Sequence, residues 1–335
     1  MSGRSLSIGS GACWRNSAGR VRMVRGLPAV QRLVPERRMD ELVSPKQAAR
    51  AMGVSESSLK RWCDRGLLAA VRTPGGHRRL PVAEVLRFVK ERGRELVDAE
   101  LLGLPATTTG ARSLPLTRAR ESLREALVAG REAACRQIIL DLHLAGQRVS
   151  AISDRVISGA FEEIGDAWSC GETDVYQERR SCEICLRVLH ELERLVPAPR
   201  PGAPVAIGGT LAGDHYQLPT TMAALVLREN GWEARSLGCN LPAENIQNAI
   251  AETKPALVWI SLSHIADEAS VLRDTKEIYE TATTHRAALA IGGYAVTAEL
   301  RAELSCGACC DTMQHLESFA ATLHRAAQRD PEPTE

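Results

Sequence analysis

Residues 42–92 read LVSPKQAARAMGVSESSLKRWCDRGLLAAVRTPGGHRRLPVAEVLRFVKER, and two short helical patterns in this stretch meet at a tight turn that contains Gly53. Ser44 is predicted to cap the first helix and Pro45 to occupy its first position. A serine hydroxyl satisfies a free backbone N–H at that end, and proline has none to satisfy. Ser55 is predicted to open the second helix. The two helices and their turn predict a helix-turn-helix.

A polar and cationic surface follows from the second helical pattern. Leu59 and Trp62 are predicted to face inward, which leaves outward a short polar face sized for the major groove. The segment VRTPGGHRRL, residues 71–80, contains a Pro-Gly-Gly turn typical of a hairpin tip. Helix, turn, helix and basic wing in this order predict a winged helix-turn-helix that binds a double-stranded DNA operator. The residues expected to contact DNA are Lys46, Ser57, Ser58, Lys60, Arg61, Arg72, His77, Arg78 and Arg79.

Composition places the chain among soluble globular proteins of two or three domains, because it has 335 residues and 44% hydrophobic content. The formal net charge is only +1, so affinity for nucleic acid has to come from a local cluster, and the wing is that cluster. We find no apolar run long enough to cross a bilayer and no secretory signal, and we therefore expect a cytoplasmic protein without a membrane partner. Residues 1–41 are predicted to form a basic disordered arm.

The ten cysteines are scattered through the chain, and reduced thiols are the better interpretation than a disulfide framework. Two groups stand out, Cys182 with Cys185 and Cys306 with Cys309 and Cys310. A zinc or iron–sulfur site needs four well-placed ligands, and neither group has a matching second pair nearby in sequence. We therefore predict small buried residues and no metal site. A redox switch through Cys182 and Cys185 is the alternative.

Helical periodicity returns after a break. Residues 93–117 contain Pro, Gly and Thr without periodicity, which predicts a linker. Residues 118–196 then predict a four-helix bundle. Its helices are expected near Ala119 to Val128, Ala133 to Leu144, Val149 to Ala167 and Val175 to Val196. The proline-rich residues 197–204 are predicted to be a stiff spacer.

Strands and helices alternate over residues 205–328, which predicts an α/β, flavodoxin-like, doubly wound parallel sheet. The whole chain is therefore expected to be a multidomain protein. Ligands of such sheets bind at the carboxyl ends of the strands, where the sequence places Gly208 to Leu218, Ser261 to Ile265 and Gly292 to Tyr294. The first of these loops contains neither a Gly-Lys-Ser/Thr ending nor GxGxxG. A nucleotide-hydrolysing or dehydrogenase function therefore loses support.

The order of winged helix, four-helix bundle and flavodoxin-like sheet resembles the MerR-type transcription factors that carry a cobalamin-binding domain, the light-sensing repressors of carotenoid genes and their relatives. The resemblance covers about residues 42–327. It depends on TPGGHRRL in the wing and on FEEIGDAWSCGETDVYQERRSCEICLRVLHEL in the bundle. In the sheet it depends on GDHYQLPTTMAALVLRENGWEARSLG, ISLS and IGGYA.

The resemblance implies a cofactor between bundle and sheet, with a nucleotide tail that extends along the sheet. It assigns tail contacts to Ser261, Ser263, Gly292 and Gly293, and it places Trp168 over the upper face of the cofactor. Serine hydroxyls suit polar tail groups, and paired glycines admit the close approach of a ligand.

The chain departs from this family at both places where an imidazole would ligate cobalt. The family has a His two residues after an acidic residue in the first loop of the sheet, and here Tyr216 follows Asp214 in that place. In the bundle the family has Glu-His ten residues after the Trp, and here the pair is Glu178 and Arg179. A neutral phenol and a guanidinium lack the nitrogen lone pair that binds cobalt. His215 is adjacent, and it reaches the ligand position only if the loop slips by one residue.

Three functions follow from these observations. The first is a transcriptional regulator whose sensory module has lost or changed its cofactor, so that the cofactor is unknown and the small-molecule effector is unassigned. The second is a cobalamin-dependent light-responsive repressor that uses His215 or no lower ligand. The third is a corrinoid carrier for methyl transfer, which the winged helix argues against, and we expect a protein that is not an enzyme. The resemblance also implies a homo-oligomer.

Overall fold

A computed structural model describes residues 42–94, 96–104, 114–171 and 173–329, and these lie in one compact unit that extends from Met39 to Glu335. The basic arm predicted over residues 1–41 lies outside the described residues. Within the described ranges, no helix combines the length and the apolar character needed to cross a bilayer.

The first part of the chain is a winged helix. Its elements are β1 (Leu42–Val43), α1 (Pro45–Ala51), α2 (Glu56–Asp64), β2 (Val71–Arg72), β3 (Arg78–Pro81) and α3 (Val82–Glu91). The Ser44 hydroxyl accepts from the Gln47 N–H at 3.2 Å, and Ser55 caps α2 in the same way. The three strands form one antiparallel sheet in the order β1-β3-β2. The predicted helices, their caps and the hairpin are all present.

Part of the predicted linker is packed against the winged helix. The N–H groups of Val97 and Asp98 donate to the Ala51 carbonyl at 2.8 and 3.3 Å. A short 3-10 turn follows at Glu100–Leu102, and Leu102 and Leu104 are buried. The prediction of a linker over residues 93–117 is therefore wrong for residues 96–104. The sequence of this segment has no helical or strand periodicity, and its contacts with α1 are not visible in a local pattern.

Four helical segments form the bundle, as predicted. They are α4 (Leu116–Val128), α5 (Glu132–Leu144), the segment from α6 (Val149–Ile152) to α7 (Gly159–Ser169), and α8 (Val175–Leu195). Between α6 and α7 the backbone forms a π-helical turn over Ser153–Ser158. Such turns are rare and frequently lie at functional sites, and this one faces the cavity described below.

The last part of the chain is a five-stranded parallel sheet. Its strands are β4 (Val205–Leu211), β5 (Glu233–Leu241), β6 (Leu257–Ser261), β7 (Ala288–Gly292) and β8 (Ala308–Cys310). The helices between and after them are α9 (Gln217–Glu229), α10 (Ala243–Thr253), α11 (Glu268–Thr284), α12 (Ala298–Glu303) and α13 (Met313–Arg329). The strand order β5-β4-β6-β7-β8 reverses direction at β4, which is the flavodoxin-like order. This confirms the predicted fold class.

One hydrophobic core runs through the winged helix, the bundle and α9. It contains Leu59 of α2, Phe88 of α3, Ile139 of α5, Leu189 of α8 and Val226 of α9. Both faces of the parallel sheet have separate apolar clusters, one under α10 and α11 and one under α9 and α13. The three parts of the chain therefore share buried surface.

His143 in α5 makes stability depend on pH. It is 8% exposed, its Nδ1 has no hydrogen-bond partner among the described residues, and burial lowers its pKa to about 4. Because the unfolded side chain titrates near pH 6.5, the unfolded chain binds more protons between these values. The stability that the neutral His143 side chain contributes is fully present above about pH 6.5. It is lost as the pH falls toward about 4.

We expect acidification from about pH 7.5 to about pH 5 to lower the free energy of unfolding by roughly 2 kcal/mol through His143. Urea denaturation at the two pH values measures this loss, and His143→Gln should remove it. The control is His190→Gln, since the His190 side chain is 54% exposed. Equal pH dependence in wild type and His143→Gln would contradict the assignment.

Candidate functional site

The outward face of the winged helix carries the side chains predicted to contact DNA. Lys46, Ser57, Lys60 and Arg61 are exposed on α1 and α2, and Ser58 is half-buried. Arg72 and His77 are exposed on the hairpin, and Arg78 and Arg79 are half-buried on β3. The tip is closed by the Thr73 N–H, which donates to the His77 carbonyl at 2.9 Å. The exposed face of α2 and the basic hairpin therefore belong to one folded unit, as in DNA-binding winged helices.

Two of these side chains have partners inside the protein. Arg78 donates to the Asp64 carboxylate at 2.8 Å and thereby ties β3 to the end of α2. Ser58 accepts from the Ser55 hydroxyl at 2.9 Å within the cap of α2. This pairing positions Arg78 within the winged helix, and its contact with DNA stays a prediction. No local pattern pointed to the pairing, since Asp64 is fourteen residues away.

We expect Arg61→Ala and Arg72→Ala to weaken DNA binding in different ways. Arg61 lies on the exposed face of α2, and its loss should change sequence preference at a cost of about 1 to 3 kcal/mol. Arg72 lies in the wing, and its loss should weaken binding to all sequences and reduce the salt slope by about 1. Competition binding at two salt concentrations separates the two effects. If neither variant changed affinity, this face would not be the DNA interface.

A cavity of about 980 Å³ lies between the bundle and the carboxyl ends of the parallel strands. Its bundle side includes the π-helical turn, α7 and the start of α8, and its sheet side includes the loops after β4, β6 and β7. Eight of the ten residues predicted to bind a cofactor line it, namely Trp168, Glu178, Arg179, Tyr216, Ser261, Ser263, Gly292 and Gly293. These assignments as ligand contacts stay predictions.

Arg179 and Tyr216 meet across this cavity. The Arg179 guanidinium carbon lies 5.6 Å from the centre of the Tyr216 ring, within the range of a cation–π contact. The Glu178 carboxylate lies 3.6 Å from the Arg179 Nε. The two side chains that stand where imidazoles were expected thus contact each other. Among the described residues that line the cavity, none is a histidine.

Asp214 does not line the cavity but fixes the loop beside it. Its side chain is buried, and its carboxylate accepts from the N–H groups of Tyr216 at 2.9 Å, Ser263 at 2.6 Å and His264 at 3.3 Å. The carboxylate therefore joins the loops after β4 and β6. His215, between Asp214 and Tyr216, is exposed and lies outside the cavity lining.

The serine and glycine positions have distinct roles. The Ser263 hydroxyl is buried without a hydrogen-bond partner among the described residues, and it borders the cavity. Gly293 has φ +129°, and a β-carbon there would collide with the Leu262 carbonyl. The backbone after β7 therefore requires glycine at position 293, and its contact with a ligand stays a prediction.

Asp154 is a cavity residue that carried no sequence signal. It lies in the π-helical turn and accepts from the N–H groups of Met313 and Gln314 at 2.7 and 3.0 Å, so it caps α13 of the sheet domain. Burial raises the pKa of this carboxyl. Its partners are more than 150 residues away in sequence, and only the packing of bundle on sheet brings them together.

Trp168 covers the cavity and is not part of a packed core. Its side chain is 53% exposed and lines the cavity. We therefore expect Trp168→Ala to change the free energy of unfolding by less than about 1 kcal/mol, since little buried area is lost. The matched control is Trp232→Ala, 1% exposed, which should cost about 3 to 5 kcal/mol. Thermal melting compares the two, and equal losses would place Trp168 in the core.

Family models match three consecutive parts of the chain. A helix-turn-helix domain model matches residues 42–93, and two B12 binding domain models match residues 119–193 and residues 200–328. A match to a helix-turn-helix domain model is therefore followed along the chain by matches to two B12 binding domain models.

Two curated transcriptional repressors are similar to most of the chain. The HTH-type transcriptional repressor CarH of Myxococcus xanthus is 26% identical over 261 residues, which are 73% of this chain and 84% of that protein. The HTH-type transcriptional repressor CarA of the same organism is 26% identical over 235 residues, or 68% of this chain and 79% of that protein. These relatives match the family that the sequence motifs resemble.

A solved structure supports the fold of the second and third parts. The monomethylamine corrinoid protein of Methanosarcina barkeri superposes with a TM-score of 0.53 at 18% identity, over 62% of this chain and all of that chain. At this identity the similarity shows the fold alone.

Proposed function

We propose that the chain is a MerR-type transcriptional regulator whose cavity is an effector site without a histidine ligand for cobalt. The contact between Arg179 and Tyr216 carries this proposal, since it joins the two positions where the sequence resemblance expects imidazoles. A guanidinium has no lone pair to donate and a neutral phenol is a poor ligand, so neither supplies an axial nitrogen.

The cavity is large enough for a sizeable ligand but offers no imidazole for cobalt. Its volume, its apolar walls and the unpartnered hydroxyl of Ser263 suit a large ligand with polar edge groups. The described cavity lining contains no histidine that would hold cobalt. We therefore expect that cobalamin is not retained, and the effector that the cavity takes is a small molecule of unassigned chemistry.

Helix α9 connects the cavity to the winged helix. Tyr216, at the cavity, is its N-cap, and Glu229 is its last residue. The Glu229 carboxylate is 10% exposed and lies 3.4 Å from the Lys90 ammonium of α3 and 3.5 Å from the Arg148 guanidinium. Helix α3 also packs on α8, which carries Arg179. A change at the rim of the cavity can therefore reach the DNA-binding domain through α9 and through the packing of α3 on α8.

We expect a regulator and not an enzyme, because the winged helix has no role in a corrinoid carrier and both curated relatives are transcriptional repressors.

We also expect a homo-oligomer, since helix-turn-helix proteins read two half-sites as two-fold symmetric dimers. Analytical ultracentrifugation with and without an operator fragment tests this expectation.

The test of the proposal uses the full chain. The protein is incubated with adenosylcobalamin in the dark, passed through gel filtration, and measured by absorbance and mass spectrometry. It should elute colourless, and its affinity for operator DNA should be equal in darkness and in light. A red protein whose spectrum changes on illumination would contradict the proposal and favour the light-responsive repressor, with His215 or another group on cobalt.

A further inference from the structure

Two cysteines at the edge of the parallel sheet are in contact. The Sγ atoms of Cys306 and Cys309 are 2.9 Å apart, only about 0.9 Å longer than the disulfide bond of about 2.04 Å. The two residues form the sequence Cys-Gly-Ala-Cys, which joins α12 to β8. Both are half-buried, so that small molecules can approach the sulfurs.

We propose that Cys306 and Cys309 are a reversible dithiol–disulfide site that hydroperoxides oxidise. The placement of the two thiols carries this inference. Cys309 lies in β8 opposite Ile291 of β7, so its position is fixed by the sheet. Cys306 lies in the preceding turn, where the Gly307 N–H donates to the Leu289 carbonyl at 2.8 Å. This backbone bond holds the turn against β7 and keeps the two sulfurs together.

The pair is partly shielded from solvent. Burial and the hydrogen bond to Cys309 raise the pKa of Cys306 to about 12, so Cys306 stays protonated near neutral pH. Either sulfur can donate across the 2.9 Å contact, and whichever thiol reacts with the oxidant has its partner in place to resolve the product.

The chemistry balances with a hydroperoxide as the oxidant. The thiolate of one cysteine attacks one peroxide oxygen, the O–O bond breaks, and a sulfenic acid forms as the alcohol or water leaves with a proton. The sulfur of the other cysteine then attacks the sulfenic sulfur, the S–O bond breaks, and a water leaves as the S–S bond forms. Two thiols lose two electrons and two protons in total, and the peroxide is reduced by two electrons. A small dithiol reverses the change by exchange.

A second Cys-x-x-Cys pair in the same chain is a natural control. Cys182 and Cys185 have the same spacing but lie within α8. Cys185 is completely buried, and the Cys182 thiol donates to the Glu178 carboxylate at 3.8 Å instead of to its neighbour. Burial raises the pKa of both thiols. Spacing alone therefore does not bring two sulfurs together, and the redox switch considered for Cys182 and Cys185 has less support than the pair at the sheet edge.

The test is thiol mapping of the full-length protein. The reduced protein, freed of reductant, is treated with hydrogen peroxide, alkylated, digested with trypsin and analysed by mass spectrometry. Residues 302–325 form one tryptic peptide that contains Cys306, Cys309 and Cys310. We expect two of the three thiols in this peptide to escape alkylation, and the peptide to be lighter by two hydrogens. This change should occur at least ten times faster than oxidation of Cys182 and Cys185. Dithiothreitol should restore all three thiols.

Serine variants assign the bond. Cys306→Ser and Cys309→Ser should each abolish it, whereas Cys310→Ser and Cys182→Ser should leave it intact. A peptide that keeps three alkylated thiols after the exposed Cys170 has been oxidised would overturn the proposal, as would a disulfide that persists in Cys306→Ser. Because mapping of the wild type reads the bond directly, the decision does not depend on whether any variant folds.

Discussion

The double variant Tyr216→His with Arg179→His should acquire affinity for adenosylcobalamin that the wild type lacks. Both side chains border the cavity and contact each other at 5.6 Å, so their replacements place imidazoles on the bundle and sheet sides. A neutral imidazole supplies the lone pair that a phenol and a guanidinium do not. We expect binding to strengthen at least tenfold, about 1.4 kcal/mol.

The gain in cobalamin affinity should be limited by Pro219, which lies in the first turn of α9. Its fixed φ restricts the backbone next to position 216, and the new imidazole can adjust less. Spectroscopic titration in the dark measures the affinity. The matched controls are Tyr216→Phe and Arg179→Lys, which keep a ring and a cation at these positions without an imidazole. A gain of binding in these controls would mean that removal of the contact, not ligation, opens the cavity to the corrinoid.

Asp214→Ala should strongly destabilise the protein. Its buried carboxylate accepts three backbone N–H groups and joins the loops after β4 and β6. Its removal leaves these donors without an acceptor, and we expect the free energy of unfolding to fall by about 3 to 5 kcal/mol. Urea denaturation measures the loss.

The control for this variant is Asp267→Ala. Asp267 caps α11 at an exposed position, where its carboxylate accepts from one N–H group at 3.1 Å. The loss of a helix cap typically costs about 1 kcal/mol. If Asp214→Ala were no more destabilising than Asp267→Ala, Asp214 would not be the structural connection between the two loops.

Local patterns were sufficient to predict most of the fold. Ser44 and Pro45 fix the start of α1, and the Pro-Gly-Gly turn fixes the wing, because both depend on hydrogen bonds within a few residues. Alternating strands and helices similarly predicted the flavodoxin-like sheet. Strand β1 was missed, since Leu42 and Val43 become a strand only by pairing with β3.

The cavity was harder to predict than the fold. The positions of Ser261, Ser263 and Trp168 around it followed from the motifs, but their surroundings did not. Asp154 caps a helix more than 150 residues away, and Arg179 contacts a ring on another domain. Such contacts depend on how the bundle packs on the sheet, and the periodicity of either segment does not predict them.

The shared core of winged helix, bundle and α9 also constrains how one molecule reads an operator. Helix α3 packs on α8 and Lys90 is paired with Glu229, so the winged helix that carries α2 is in contact with the helices around the cavity. Two half-sites recognised by helix-turn-helix dimers lie one helical turn apart, about 34 to 36 Å. The arrangement of neighbouring copies then determines whether two reading helices meet that spacing. Operator geometry is consequently a property of the assembly and not of the single chain.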